Sequence, residues 1–378
     1  ESARRFGDAG LSAIVVAGSF SPVDSSQEDR AAELLAEHLP GARVTTSHRL
    51  GRLGLLEREN AAGLNACLLE LAESTIAAFA AALDDAGFGP ETRLFLTQND
   101  GTLLGLDDAA RYPVLTFASG PTNSMRGAAL LGGVDDGLVV DVGGTTADFG
   151  ALVAGYPRQA NAAVEVGGVR TLFQLPDLLS IGLGGGSRLH RSPAGRLSIG
   201  PDSVGQRLLD EALCFGGTTA TLTDAAGAAG RLSIEGASVP ELAEADVVLA
   251  RAAETVAEGA DRLKLTADDV PLIAVGGGAF AVPDDLPGIS EVVRPPHAGT
   301  ANAVGAALAE VSGEVDQVFH TQSRQEAIAT AQRLATERAV ANGAIADTVA
   351  AIEIEDLPLA YLAGDARRVR VRVVGTLG

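Results

Sequence analysis

Three times along this chain an apolar run ends in clustered glycines: LVVDVGGTTADFGAL at 138–152, IGLGGGSRL at 181–189 and AVGGGAF at 274–280. Each glycine held in an ordered segment costs about 1 kcal/mol relative to alanine, mainly in backbone entropy given up on folding. Clusters of them imply a close approach that a side chain would obstruct. Apolar runs that end in glycine loops suit the strands of an α/β sheet, where ligands sit at the carboxyl ends of the strands.

The rest of the chain supports an α/β reading. LSAIVVAGSF (11–20) reads as a buried strand, and EDRAAELLAEHL (28–39) follows with helical spacing, ended by Pro40-Gly41. From Glu57 to Ala86, Leu64, Leu68, Leu71, Phe79 and Leu83 recur at three- and four-residue steps, which predicts one long amphipathic helix. RLFLTQNDG (93–101) is a further strand. At Leu138 a second lobe begins, with a polar, irregular insertion at 190–240, a helix at 241–264 and a strand at 272–275. A helix near 324–341 then precedes VAAIEIEDLPLAYL and RRVRVRVV, which alternate with period two around a turn at Gly364-Asp365. There Arg368, Arg370 and Arg372 are expected on a solvated face and Val369, Val371 and Val373 on the other. The boundaries expected are 1–133, 134–312 and 313–378, the last a small terminal element.

Composition narrows the function. A formal charge of -21 and a pI near 4.6 argue against nucleic-acid or anionic-membrane partners, which need clustered cations. Lys264 is the sole lysine, so a P-loop with its lysine is absent and any anion must be held by backbone N–H groups or a metal. Cys67 and Cys214 form no CxxC pair and read as reduced, which suits the cytoplasm. The longest apolar runs look too short or too interrupted to span a bilayer. The five histidines, His38, His48, His190, His297 and His320, show no metal-ligand spacing.

In DVGGTTAD, Asp141 is expected to end a strand and Asp148 to begin the next. Gly143 and Gly144 can take positive φ and leave N–H groups uncovered, and Thr145 and Thr146 add hydroxyl donors. The two carboxylates make sense as partners of hydrated magnesium. A plain glycine hairpin is the competing reading. ASGPTNSMRGAA (118–129) places Ser119, Thr122, Asn123 and Ser124 near a helix start, to bind an anion or to cap the helix. TANAVGAALAE (300–310) is a helix of small residues that permits close packing.

These loops, in this order, resemble those of the acetate-kinase/sugar-kinase/Hsp70/actin superfamily. More closely, FLTQNDG, TFASGPTNSMRGAA, VVDVGGTTADFG, PDLLSIGLGGGS, TLTDA and VRPPHAGTANAVGAA resemble the A-type branch of the hydantoinase/oxoprolinase family, from Leu11 almost to the end. The resemblance implies a two-lobed actin/sugar-kinase-like ATPase fold with ribonuclease H-like lobes, its N-terminal part missing, and a small C-terminal α+β element. It implies ATP and Mg2+ as cofactors, a small cyclic amide as substrate, a B-type hydantoinase subunit as partner, and an oligomer. Asp141 and Asp148 would manage phosphate and metal, with Asp177 a third catalytic candidate. Gly143, Gly144, Thr145 and Thr146 would hold phosphate, Gly184, Gly185, Gly186 and Ser187 would line the cleft, and Gly276, Gly277 and Gly278 would face adenosine. Asn99, Asp100, Ser119, Asn123 and Asp224 would contact substrate. A ketone carboxylase subunit and a non-catalytic nucleotide-binding subunit are the alternatives. Two departures stand out. Leu179 occupies the place of a family histidine, and only one of two expected DxGGTxxD loops is present, as if these residues were the remainder of a longer polypeptide.

Overall fold

The computed structural model describes residues 1–50, 54–89, 91–160, 164–171, 175–320, 323–359 and 366–378. Two compact units share the chain by interleaving: residues 1–119, 160–175 and 309–378 form the first, and 120–159 and 176–308 the second.

The second unit is built on a mixed sheet whose strands run, side by side, Leu178–Ile181, Ala147–Val153, Gly137–Val142, Val270–Val275 and Ile289–Val293. Ala147–Val153 runs antiparallel to both of its neighbours, and the last two strands run parallel to Gly137–Val142. Period-two alternation gives each central strand two apolar faces. Leu138, Val140, Val142, Leu272 and Ala274 face one core, shared with helix Ala245–Leu263 through Val248, Leu249, Ala252, Val256 and Ala260. Val139, Ile273 and Val275 face the other, where helix Ser119–Gly132 supplies Met125, Ala128 and Ala129 and helix Ala301–Ala307 supplies Ala301. A side chain at Gly127 would overlap the Ala301 carbonyl and one at Gly305 the Asn123 carbonyl, so the small residues of both helices permit their contact.

The stretch 190–240 is more regular than its polar sequence suggests, which corrects the expectation of an irregular insertion. Strands Ser187–Arg191 and Leu197–Ser203 form a hairpin, with Leu189, Leu197 and Ile199 packed on the core. Helix Leu222–Ala228 opens with a capping box of Thr221 and Asp224.

The first unit pairs strands Ala13–Val16 and Arg43–Thr46 in parallel, with helix Ser26–His38 between them in sequence. Its larger sheet runs Ala350–Pro358, Arg367–Gly375, Glu310–Phe319, Thr102–Gly105, Phe95–Thr97. Helix Arg324–Ala341 lays Ala327, Ala331, Ala335 and Ala339, a four-residue stripe, on Val311, Val315, Val369, Val371 and Val373. The expected separate element at 313–378 is thus corrected: its strands continue a sheet begun by Phe95–Thr97 and Thr102–Gly105. The turn expected at Gly364-Asp365 lies outside the described residues.

Two further expectations change. The arginine face of Arg367–Gly375 is not solvated: Arg370 is 1% and Arg372 5% exposed. Arg368 meets Asp316, Arg370 meets Glu314 and Glu353, and Arg372 meets Asp100. Asp316 and Glu314 lie diagonally across the strand pair from Arg368 and Arg370, within reach of long side chains. The long helix exists, as Leu55–Asp85, but only Arg58, Ala61, Ala62, Asn65 and Leu69 are buried. Leu71 and Phe79, expected on the packed stripe, are 63% and 48% exposed. An 18-residue window of this helix averages a hydropathy of 1.6, long and apolar enough to cross a membrane by composition alone, which corrects the expectation that no segment is. Its packing is that of a domain helix at the N-terminal end, where Asn65 donates to Thr45 and to the Arg111 carbonyl.

Candidate functional site

The three glycine loops converge within the second unit. Strands Gly137–Val142 and Ala147–Val153 are joined by Gly143–Thr146, closed by a bond from the Gly143 N–H to the Thr146 carbonyl at 2.9 Å. The stretch is therefore a hairpin, and its tip is what the other loops pack on. The N–H groups of Gly185 and Gly186 donate to the carbonyls of Gly143 and Gly144 at 3.0 and 2.7 Å. From the third loop the Gly278 N–H reaches the Val142 carbonyl at 2.7 Å.

The glycines divide by what surrounds them. A Cβ on Gly184 would lie 2.5 Å from the Thr145 nitrogen and 2.8 Å from the Gly143 oxygen, and one on Gly186 2.9 Å from the Gly144 oxygen. On Gly278 it would lie 2.9 Å from the Gly143 oxygen, and on Gly276 it would collide with the Asp141 carboxylate. Loop-to-loop packing thus accounts for Gly184, Gly186, Gly276 and Gly278. Gly276 also has φ +85°, whereas the positive φ anticipated for Gly143 and Gly144 is not taken up. Gly144 and Gly277 are different: both are exposed, neither has positive φ, and an added Cβ would meet nothing within 4 Å. Among the described residues the N–H groups of Gly144, Thr145 and Gly277 have no hydrogen-bond acceptor.

Asp141 and Asp148 stand directly opposite each other on the antiparallel pair. Burial pushes the Asp141 carboxyl above the usual carboxylate range, a hydrogen bond with Ser124 opposes this, and the Asp148 charge adds to the rise. Asp148 accepts from the Thr146 hydroxyl at 3.2 Å. Such a like-charge pair suits a cation. Among the described residues no group of three or more His, Cys, Asp or Glu side chains could hold a metal directly, so a magnesium ion here would keep most of its waters and use the phosphates of its ligand.

The loops are braced by residues that sequence reasoning passed over. Ser203 donates to the Gly144 carbonyl at 3.1 Å, and Thr223 donates to the Gly185 carbonyl through its hydroxyl and its N–H, both at 2.9 Å. The TLTDA motif pointed to Asp224, but the hydroxyl that touches the loop belongs to the residue just before it, Thr223. Ser187, which the sequence did single out, accepts from the Gly184 N–H at 2.8 Å and closes the second loop.

Other expected residues lie elsewhere. Asp224 is fully buried and spends its carboxylate on the N–H groups of Thr221, Leu213 and Cys214 and on the Thr221 hydroxyl. Burial and this carboxylate push the Cys214 thiol up to about 12, which leaves it unreactive. Asp177 pairs with Arg158 at 2.6 Å, and Arg158 also donates to the Leu263 carbonyl. Leu179 pairs with Phe149 across the sheet and packs on the core. Asn123 is buried in helix Ser119–Gly132. Asn99 and Asp100 belong to the first unit, where Asn99 ties the Val114 carbonyl to the Ala118 N–H, and Asp100 accepts from Thr102 and Arg372. Ser119, at the end of that unit, donates to the Thr116 carbonyl.

Fold and loops together define a mixed α/β protein in which three glycine loops meet at a hairpin tip beside two facing aspartates. A model of the hydantoinase/oxoprolinase family matches residues 58–270, and the chain belongs to that family. The acetophenone carboxylase gamma subunit of Aromatoleum aromaticum is 29% identical over 232 residues, 58% of this chain and 31% of that protein. The caprolactamase subunit alpha of Pseudomonas jessenii is 26% identical over 231 residues, 59% of this chain and 32% of that protein. The chain thus spans about a third of the length of these relatives. Two solved structures share its fold: a nucleotide-free acetone carboxylase, an enzyme of ATP-dependent acetone carboxylation, and the ATP-dependent caprolactamase of P. jessenii. Both align with TM-score 0.69 at 18% identity, covering 100% and 99% of this chain and 66% of theirs.

Proposed function

We propose that the glycine loops of the second unit hold the phosphates of ATP, and that the protein acts in ATP-dependent opening of a cyclic amide or imide of the hydantoin or 5-oxoproline type. The observation that carries the nucleotide reading is the division among the glycines. Gly144 and Gly277 have no protein neighbour that requires glycine, yet their N–H groups and that of Thr145 point to acceptors from outside the chain. Phosphate oxygens are such acceptors. Asp141 and Asp148 would hold a hydrated magnesium ion, which would neutralise charge on the phosphates.

An unactivated amide carbonyl resists water because nitrogen is a poor leaving group. Transfer of the γ-phosphoryl group to the carbonyl oxygen yields an electrophile. Water then adds to its carbon, the ring C–N bond breaks as the nitrogen takes up a proton, and a second water hydrolyses the resulting acyl phosphate to carboxylate and inorganic phosphate. In this scheme the loops orient the phosphates and the carboxylates position the cation. Ketone carboxylation by the same activation is the second reading, favoured by the likeness to the acetophenone carboxylase gamma subunit. Both named relatives are subunits, and we take this chain to work in a heteromeric assembly with a B-type partner. Cys67 and Cys214 form no disulfide, in keeping with a cytoplasmic setting.

Phosphate release by the protein with its partner, in the presence of hydantoin, 5-oxoproline or a ketone with bicarbonate, tests the proposal. Stimulation by a cyclic amide supports ring opening, and stimulation only by ketone with bicarbonate replaces it with carboxylation. Nucleotide binding without stimulation by any of these refutes both.

A further inference from the structure

The first unit carries two cavities that the nucleotide reading does not use. One, of about 510 Å3, is lined by Ser21, Ser25, Asp29, Arg368 and others, and the second, of about 420 Å3, by Gln98, Asp108, Tyr112 and others. They share His48, Arg49, Asp316 and Arg338. Volumes of this size suit a small molecule.

The charges along the shared wall are unequally spent. Asp316 is taken up by Arg368, which donates through Nε at 2.6 Å and through a second guanidinium nitrogen. Arg49 and Arg338, by contrast, have no carboxylate within ion-pair distance among the described residues. Arg338 donates to the Glu314 carbonyl, and burial followed by the nearby Arg49 charge lowers its guanidinium below the ordinary value. Glu314 and Asp100 also line the second cavity but are paired with Arg370 and Arg372, so two adjacent guanidiniums without an ion-pair partner of their own among the described residues call for an anion from outside.

His48 is held rigidly beside them. Its ring Nδ1 lies 2.8 Å from Glu28, which also accepts from the His48 N–H and the hydroxyls of Ser21 and Ser47. Burial alone would raise the Glu28 carboxyl, but those hydrogen bonds hold it down at about 2. The ring is thus fixed with Nδ1 against the Glu28 carboxylate and Nε2 3.5 Å from Asp29. Arg58 braces the same knot through Ser47 at 3.1 Å and the Gly18 carbonyl.

We propose that this shared wall is a binding site for a small monoanionic carboxylate, seated between Arg49 and Arg338 with His48 beside it. Asp29 and Asp108 face the cavities without a guanidinium partner and oppose a second negative charge, so the site prefers a carboxylate to a phosphate dianion. The proposal stands apart from the nucleotide site, since every residue it uses lies in the first unit.

The test titrates the full chain calorimetrically with propionate and with inorganic phosphate at matched ionic strength, and repeats both with Arg49→Gln, Arg338→Gln and, as a control lining neither cavity, Arg4→Gln. Saturable propionate binding, tighter than phosphate, weakened at least tenfold by either cavity substitution and unmoved by the control, is expected. Equal melting temperatures show that the variants fold, and unchanged MgATP binding in them separates this site from the glycine loops. Absent propionate binding, binding that survives both substitutions, or phosphate bound more tightly than propionate overturns the proposal.

Discussion

Alanine at Gly184 and alanine at Gly277 are chemically the same change in neighbouring loops and are expected to do opposite things. At Gly184 the new methyl would sit 2.5 Å from the Thr145 nitrogen and 2.6 Å from the Gly144 carbonyl carbon, both backbone, so a loop must move. Overpacking of this kind costs about 1–3 kcal/mol. The bonds from Gly185 and Gly186 to the Gly143 and Gly144 carbonyls are put at risk with it, about 1 kcal/mol each. The sum, roughly 3–5 kcal/mol, lowers the melting temperature of a unit of this size by about 6–20 °C. At Gly277 an added methyl meets nothing and the backbone is permissive, so stability changes by less than about 1 kcal/mol, upward if at all. MgATP binding should nonetheless fall at least tenfold in Gly277→Ala, because the methyl occupies the space assigned to the ligand. Differential scanning fluorimetry and nucleotide titration on both variants read the two effects. A stable Gly184→Ala, or a Gly277→Ala that melts early and binds normally, refutes the division of the glycines.

Asp141→Asn should weaken magnesium-dependent nucleotide binding at least tenfold, about 1.4 kcal/mol by titration. It should also stabilise the unliganded chain at neutral pH. With a raised folded pKa, the stability linked to Asp141 is present below the ordinary value and lost as pH rises through the folded one, and asparagine removes that loss. Glu28 has the reverse sign: its stabilisation is present above the ordinary value of 4.5 and lost as pH falls toward about 2, on the order of 3 kcal/mol in all. Acid unfolding of the first unit should follow that window, and Glu28→Gln should flatten it while lowering stability at pH 7. Gly313→Ala should lower the melting temperature of the same unit by several degrees, because its methyl would overlap the Ala335 carbonyl under helix Arg324–Ala341.

The sheet strands and glycine loops of the second unit were readable because their signals are local: period-two apolar runs, and glycine where a strand ends. What was not readable depended on contacts distant in sequence. Arg368, Arg370 and Arg372 looked solvated because alternation shows a polar face but not what covers it, and the carboxylates that do so come from Glu314, Asp316, Glu353 and Asp100. The unit boundary was misplaced for the same reason, since Glu310 and Val311 pair with Thr102 and Leu103 some two hundred residues earlier. Glycine runs announce a close approach without saying which glycine meets protein and which faces outward. Asp224 drew attention as a carboxylate in a motif, yet its carboxylate caps a helix and ties down the backbone at Leu213 and Cys214, and such use is decided by geometry.

Amide hydrogen exchange with and without MgATP bears most directly on the nucleotide site. The predicted result is new protection at 143–146, 183–187 and 276–278, dependent on magnesium and lost in Asp148→Asn. Protection confined to the first unit, or none at these loops while nucleotide is bound, would contradict it.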